Sequence, residues 1–532
     1  MGGVVDERDF KRIFTMSIPG LKTIFFAVIA IYLSAGITGI LFANDLDIVN
    51  GSIESKDTSG NTVVIEFDIS WKNSWRDMTN YDAVWIFVKF SADEDSGWNH
   101  ATLKGSGVTP DGFDAGTNTG IEIVVPSDGK GCFIQRSENG TGDIASEGVK
   151  IVWNYGYDGL LDEEVDNVGL KIFGIEMVYI PEGALYAGDH QTSTASFVQG
   201  SGDPDPWYID DNSGISVENV ASNSYYYVSG GNAGESATGS EFIIPASFAK
   251  GYTAFYIMKY EITEGQWVGF FNSLTDSQKI NRDITGAGGK NSDGVVRRNT
   301  VSWSAASDAA SLRPDRSCGY LSWMDLCAYA DWAALRPMTE LEYEKAARGK
   351  DILPVAGELP WGNTSVSAAS NIAGDEDGSE TLSNASANVN YNNVTFSGGD
   401  GGEGPLRAGM FATATSTRQQ SGAGYYGVME LAGNVWERCV TAGNEEGRAF
   451  LSTHGDGNLT TEAGHEGNAT NASWPGYQDG QGVSGASGSG YRGGSWFIST
   501  TNMLAVSNRS RAALSDNGRN NDSGGRCVRS AP

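Results

Sequence analysis

From residue 45 to about 173 the chain is written in short runs of alternating apolar and polar side chains. TVVIEFDISW (62–71) places Val63, Ile65, Phe67 and Ile69 on one face. AVWIFVKF (83–90), GIEIVV (120–125), GCFIQRS (131–137), VKIVWNY (149–155) and LKIFGIEMVYI (170–180) are similar runs, parted by Gly, Asp, Asn and Ser clusters. Successive side chains of a strand point to opposite faces, so a period of two with turns between predicts an all-β sandwich over 45–173, with no helix in it. After Ile180-Pro181 the texture changes to long Gly/Ser/Asn loops holding three sharply written helices. Thr263 and Gln266 form a capping box ahead of Trp267, Phe270, Phe271 and Leu274; Ser322 and Asp325 open SWMDLCAYADWAAL; Thr339 and Glu342 open TELEYEKAARG, which stops at Gly349. From Asp351 onward only loops and short strands are legible. The Gly/Asn/Ser-rich stretches 365–404 and 455–490 exceed ordinary connections and should be metal-organised, functional or mobile.

Composition narrows the partners. With 39% hydrophobic and 11% aromatic residues the 532-residue chain is not disordered or collagen-like, and its length has room for about three domains. Asp+Glu number 66 against 36 Lys+Arg, a net charge of -30, which repels a polyanion and argues against nucleic acid as a partner. The carboxylate surplus suits hard cations such as Ca²⁺ and equally serves solubility. Thr23 to Ala43 carries no charge and follows Arg8, Lys11, Arg12 and Lys22. About 20 apolar residues can cross a bilayer, so 1–43 is expected to be a signal peptide or an N-terminal membrane anchor, the protein's one contact with membrane. Export follows in either case: secreted, periplasmic or cell-surface. Five cysteines (Cys132, Cys318, Cys327, Cys439 and Cys527) leave at least one thiol unpaired. Without a CxxC, HxH or HExxH, no zinc site is expected.

A series of phrases resembles the formylglycine-generating-enzyme, or sulfatase-modifying-factor, family: EMVYIPEGALYAGD (176–189), FYIMKYEITEGQW (255–267), LRPMTELEYEKAARG (335–349), PWGN (360–363), YYGVMELAGNVWER (425–438), YRGGSW (491–496) and GGRCVR (524–529). They run in family order from about residue 174 to the C-terminus. The resemblance implies a loop-rich, C-type-lectin-like domain over 174–532, so the fold class expected is α+β, with the all-β sandwich of 45–173 in front. In the oxidase members two cysteines after the GGS-aromatic phrase bind copper(I) for oxygen activation. Here those positions are Ile498 and Met503, and since thiolates are what this soft ion needs, no copper is expected. A second branch makes a sulfoxide at non-haem iron through a His-rich motif that this chain lacks. G-x-S-x-G, P-loop and Cys–His signatures are also missing, and no catalytic residue is assigned.

The resemblance further implies two structural Ca²⁺ sites. One maps onto Asn371, Ile372, Asp400 and Gly402, the other onto Glu430, Gly433, Val435 and Glu437, for which a metal-free, hydrogen-bonded turn is the alternative. Cys527 matches the family's closing cysteine. The usual partner position carries Ala330, with Cys327 one turn earlier, so the expectation is a Cys327–Cys527 disulfide or, equally, two free thiols.

The ending, 492–529, resembles the variable region of diversity-generating-retroelement target proteins. There, randomised adenines turn AAY codons into NNY codons, which cannot encode Trp, Met, Lys, Glu or Gln. None of these occurs at 497–502 or 512–522, whereas 492–496, 506–509 and 525–529 read as a fixed frame; a plain surface loop is the alternative. Trp496 is expected in the core. Phe497, Ile498, Ser499, Thr500, Asn502, Arg511, Ala513, Ser515, Asn517, Arg519 and Asn521 are the candidate ligand-binding residues, since a rigid frame limits the entropy lost on binding. The function expected is an exported, non-catalytic module that binds an unknown protein or cell-surface ligand. Its rivals are a divergent formylglycine-generating oxidase and a cell-envelope component tethered through its sandwich.

Overall fold

The computed structural model describes residues 45–92, 97–305, 307–374, 376, 380–392, 399–400, 402–413 and 415–532. The expected signal or anchor segment, 1–43, lies outside them. Thr62–Arg76 pairs antiparallel with Asp47–Asp57 on one edge and with Gly140–Trp153 on the other. Val63, Ile65, Phe67 and Ile69 all point inward, as their alternation requires. Facing them are Val84, Ile86 and Val88 of Asp82–Ser91 with Ile121, Ile123 and Ile134, and these residues close one core.

Asp82–Ser91 is buried at every position. Its second face, Ala83, Trp85 and Phe87, enters another core with Trp267, Phe270 and Trp332 of two helices. Burial on both faces explains why AVWIFVKF is a nearly unbroken apolar run. The strand belongs to a nine-stranded sheet. Gly169–Ile180 pairs with Asp82–Ser91 on one edge and with Phe255–Met258 on the other, and Cys527–Ser530 and Arg336–Pro337 continue the sheet. The domain boundary expected at 173/174 therefore falls inside a strand, and the segments on either side share one hydrogen-bonded ladder.

The three capping boxes form as spaced. The Gln266 amide N–H donates to Thr263 Oγ1 at 3.2 Å, that of Asp325 to Ser322 Oγ at 3.2 Å and that of Glu342 to Thr339 Oγ1 at 3.1 Å. They start Glu264–Phe271, Trp323–Trp332 and Glu340–Arg348. A short helix, Asp162–Val165, stands where alternation predicts none; four residues are too few to show a period. Asp276–Arg282 adds another behind its own Thr275/Gln278 box, and Arg418–Ser421 and Glu445–Arg448 lie beyond Asp351, where only loops and strands are legible. Strands outnumber these short helices among the described residues, an α+β architecture.

Candidate functional site

The closing segment is pinned by buried ion pairs. Trp436–Val440 pairs antiparallel with Ser489–Arg492 and parallel with Ser523–Gly524, which brings residues 492 and 523–524 of the segment to one small sheet, while Cys527–Ser530 joins the nine-stranded sheet. Helix Glu340–Arg348, buried along its whole length, supplies the anchors. Arg509 Nε donates to Glu340 Oε2 at 2.7 Å, and Arg492 donates to Glu340 at 3.1 Å and to Glu344. Burial alone would raise the Glu340 carboxyl, but the two guanidinium groups hold it below its ordinary range. Arg526 grips Glu437 through two bonds of 2.9 and 2.6 Å, and Arg529 pairs with Asp128. Arg492, Arg509, Arg526 and Arg529 are all buried.

Between these anchors the candidate ligand-binding residues divide. Phe497 is 52% exposed, and Ser499, Thr500, Asn502, Ser515 and Asn517 also face solvent. Arg511 and Asn521 are half-buried, with the Arg511 guanidinium 4.8 Å from the Trp436 ring centroid. Three candidates point elsewhere. Ile498 and Ala513 are buried. Arg519 is locked to Asp325 at 2.7 and 2.8 Å and donates to the carbonyls of Asn281 and Asp283. Trp496 is in the core, as expected.

Ile498 turns inward because an apolar cluster waits for it: Leu359, Trp361, Val389, Trp436, Tyr491 and Leu504, with Met503 packed alongside. These are the two positions at which oxidase members carry copper thiolates. Ile498 offers no donor atom and Met503 a single thioether, so the residues present do not fit copper(I). The five cysteines are buried free thiols, so the alternative to the Cys327–Cys527 disulfide is the state described. Burial raises the Cys439 and Cys527 thiols, keeping them protonated, and Cys439 belongs to a different apolar cluster.

The two expected calcium sets differ. In the first, Ile372 pairs with Leu382 in a two-strand hairpin and the Asn371 carbonyl accepts the Ser383 N–H at 2.9 Å. Asp400 is taken by Arg313 and Arg316, each at 3.0 Å. This set does not fit a cation. In the second, Glu430 Oε1 accepts the Gly409 N–H at 2.8 Å while Oε2 is buried without a partner. Burial pushes the Glu430 carboxyl up to about 7. Glu261, unnoticed in the sequence, lies beside it and accepts from Asn434 Nδ2 at 2.6 Å and from the Val435 N–H at 3.1 Å. Its carboxyl is raised by burial and then by the charge of Glu437. Arg526 takes both oxygens of Glu437, and Arg526 and Arg407 draw the Glu430 carboxyl down, so the unpartnered Glu430 oxygen is the one feature of this set that suits a hard cation. Among the described residues no three His, Cys, Asp or Glu side chains are grouped to hold a metal by themselves, so backbone carbonyls such as those of Gly433 and Val435 would have to complete the shell.

Residues 216–531 match the family model of the sulfatase-modifying factor enzyme 1-like domain. Over 128 residues, 24% of this chain and 34% of the relative, the sequence is 34% identical to the formylglycine-generating enzyme of Thermomonospora curvata. The chain therefore spans about a third of the length of the curated relative it matches. With the match covering more than half of its residues, the chain belongs to the sulfatase-modifying factor enzyme 1-like family.

Proposed function

We propose that this protein is an exported, non-catalytic binding module that uses its family's scaffold to present the 492–529 segment to a protein or cell-surface ligand. The observation that carries the reading is the apolar filling of positions 498 and 503: Ile498 and Met503 pack against Trp361, Trp436 and Leu504, so the sulfur chemistry of an oxidase has no place there. The division of the segment into paired arginines and solvent-facing Phe497, Ser499, Thr500, Asn502, Ser515 and Asn517 also supports it, because rigid presentation reduces the ordering cost of binding. Finer parts of the proposal are a C-type-lectin-like fold for 174–532, a sandwich for 45–173, diversification of 497–502 and 512–522 by a retroelement, and one structural Ca²⁺ at Glu430, Gly433, Val435 and Glu437. Nucleic acid is not the ligand proposed, given the net charge of -30.

Two measurements test it. Purified protein incubated with copper(I), oxygen and a cysteine-containing peptide is expected to leave the thiol unchanged; oxygen-dependent conversion to an aldehyde would establish the divergent oxidase instead. Sequencing this locus across a population of its source organism is expected to show substitutions concentrated at 497–502 and 512–522. An even spread would end the diversification idea while leaving the binding reading to direct ligand selection.

A further inference from the structure

We propose that arginines take the place of the metal ion around Glu376 and Asp400, so that the neighbouring segments 380–392 and 402–413 are held without calcium. Arg298 donates to Glu376 Oε1 and, through Nε, to the Pro405 carbonyl at 3.0 Å. Arg316 donates to Glu376 Oε2 at 2.6 Å, to Asp400 Oδ2 at 3.0 Å and to the Arg298 carbonyl. Arg313 forks onto Asp400 with bonds of 3.0 and 3.3 Å. Every oxygen of the two carboxylates therefore accepts a hydrogen bond from a guanidinium.

The arrangement does what a coordinated cation does in a loop. It gathers carboxylates and carbonyls that are distant in sequence around positive charge, in planar geometry that matches guanidinium forks. Arg298, Arg316 and Glu376 are buried, so the charges must be paired where they stand. The backbone closes over them: Gly399 has φ +53°, and a Cβ there would meet Glu376 Oε1 at 1.7 Å. A neighbouring pair, Arg407 Nε to Glu380 Oε1 at 3.1 Å, extends the same device toward the hairpin of Ile372–Ala373 and Thr381–Leu382. A calcium ion at Asp400 would have to displace two arginines from it.

Amide hydrogen exchange read by mass spectrometry on the full protein tests this. In the native chain, peptides spanning 380–392 and 402–413 are expected to exchange at the same rate in EDTA and in millimolar Ca²⁺. In Arg316→Met, which leaves Glu376 and Asp400 under-paired, the same peptides are expected to exchange roughly 10²-fold faster in EDTA, the scale of a broken buried pair, and to recover on adding Ca²⁺. The further change Asp400→Asn should abolish that recovery. Loss of protection at 380–392 and 402–413 in the native chain on EDTA treatment, reversed by Ca²⁺, would overturn the proposal. So would an Arg316→Met protein whose protection matches the native chain in EDTA. A variant that fails to fold leaves the native-chain measurement as the deciding one. A calcium effect confined to peptides around 430–437 belongs to the other set and leaves the proposal standing.

Discussion

Arg492 and Phe497 lie five residues apart, and their surroundings differ in kind. Arg492 is buried and joins two carboxylates of helix Glu340–Arg348, while Phe497 leans its ring on Trp496 at 5.5 Å and shows half its surface to water. The contrast recurs along the segment, with Arg509 and Arg526 on one side of it and Ser499, Ser515 and Asn517 on the other. The difference is one of burial: paired arginines and inward apolar side chains hold the segment, and the solvent-facing residues hang between them. The paired arginines fix the path of the chain, and of the residues between them the solvent-facing ones carry little of the stability.

The heaviest loss is expected at an anchor. Arg492→Met leaves Glu340 with one partner fewer and Glu344 Oε1 without its guanidinium, although Oε2 keeps Arg348, and is expected to cost about 3–5 kcal/mol in urea unfolding. A loss no larger than that of a surface substitution would dissolve the distinction. Ile498→Ala sharpens it from inside the displayed stretch: the change opens a cavity beside Trp361 and Trp436 and should cost about 2–5 kcal/mol, although both of its neighbours in sequence face outward or lie in a turn.

The frame's weak point is Glu430, whose carboxyl is raised from 4.5 to about 7. The folded state holds that proton more tightly than the unfolded one, so the group's contribution to stability is intact at acid pH, declines as pH rises from about 4.5 to 7, and is lost above. In EDTA, Glu430→Gln is therefore expected to be more stable than the native protein at pH 8, by about 3 kcal/mol, and to match it below pH 4.5. Ca²⁺ bound at the proposed second set would shrink the difference at pH 8. The smallest effects belong to the display: Phe497→Ala, Ser515→Ala and Asn517→Ala should each stay within about 0.5 kcal/mol of the native protein, while altering ligand capture once a ligand is selected.

Local patterns in the sequence translated directly into structure. The capping boxes at Thr263, Ser322 and Thr339 and the strand runs at 62–71 and 83–90 are written in neighbouring residues, and each formed. The Thr275/Gln278 box carries the same signal and was the one to use for the helix Asp276–Arg282. What stayed hidden depends on partners far along the chain. Arg509 meets Glu340 across 169 residues and Arg298 meets Glu376 across 78, and no spacing rule announces such pairs. The burial of Ile498 escapes the sequence for a related reason: Phe497 and Ile498 in a Gly/Ser/Thr setting have no period, and only the cluster of Leu359, Val389 and Leu504 decides which of them turns inward. Glu261 sits inside a matched phrase, yet its role as a third carboxylate beside Glu430 and Glu437 emerges only in space.

The shared ladder through Gly169–Ile180 bears on how the protein can be handled. Shortening it at the expected domain boundary near 174 would bare the row of amide and carbonyl groups now engaged by Asp82–Ser91 and split apolar faces that stay dry only together. Such fragments would present raw sheet edges to one another and precipitate, so any library built on the displayed loops needs the strands from residue 47 onward as part of its chassis.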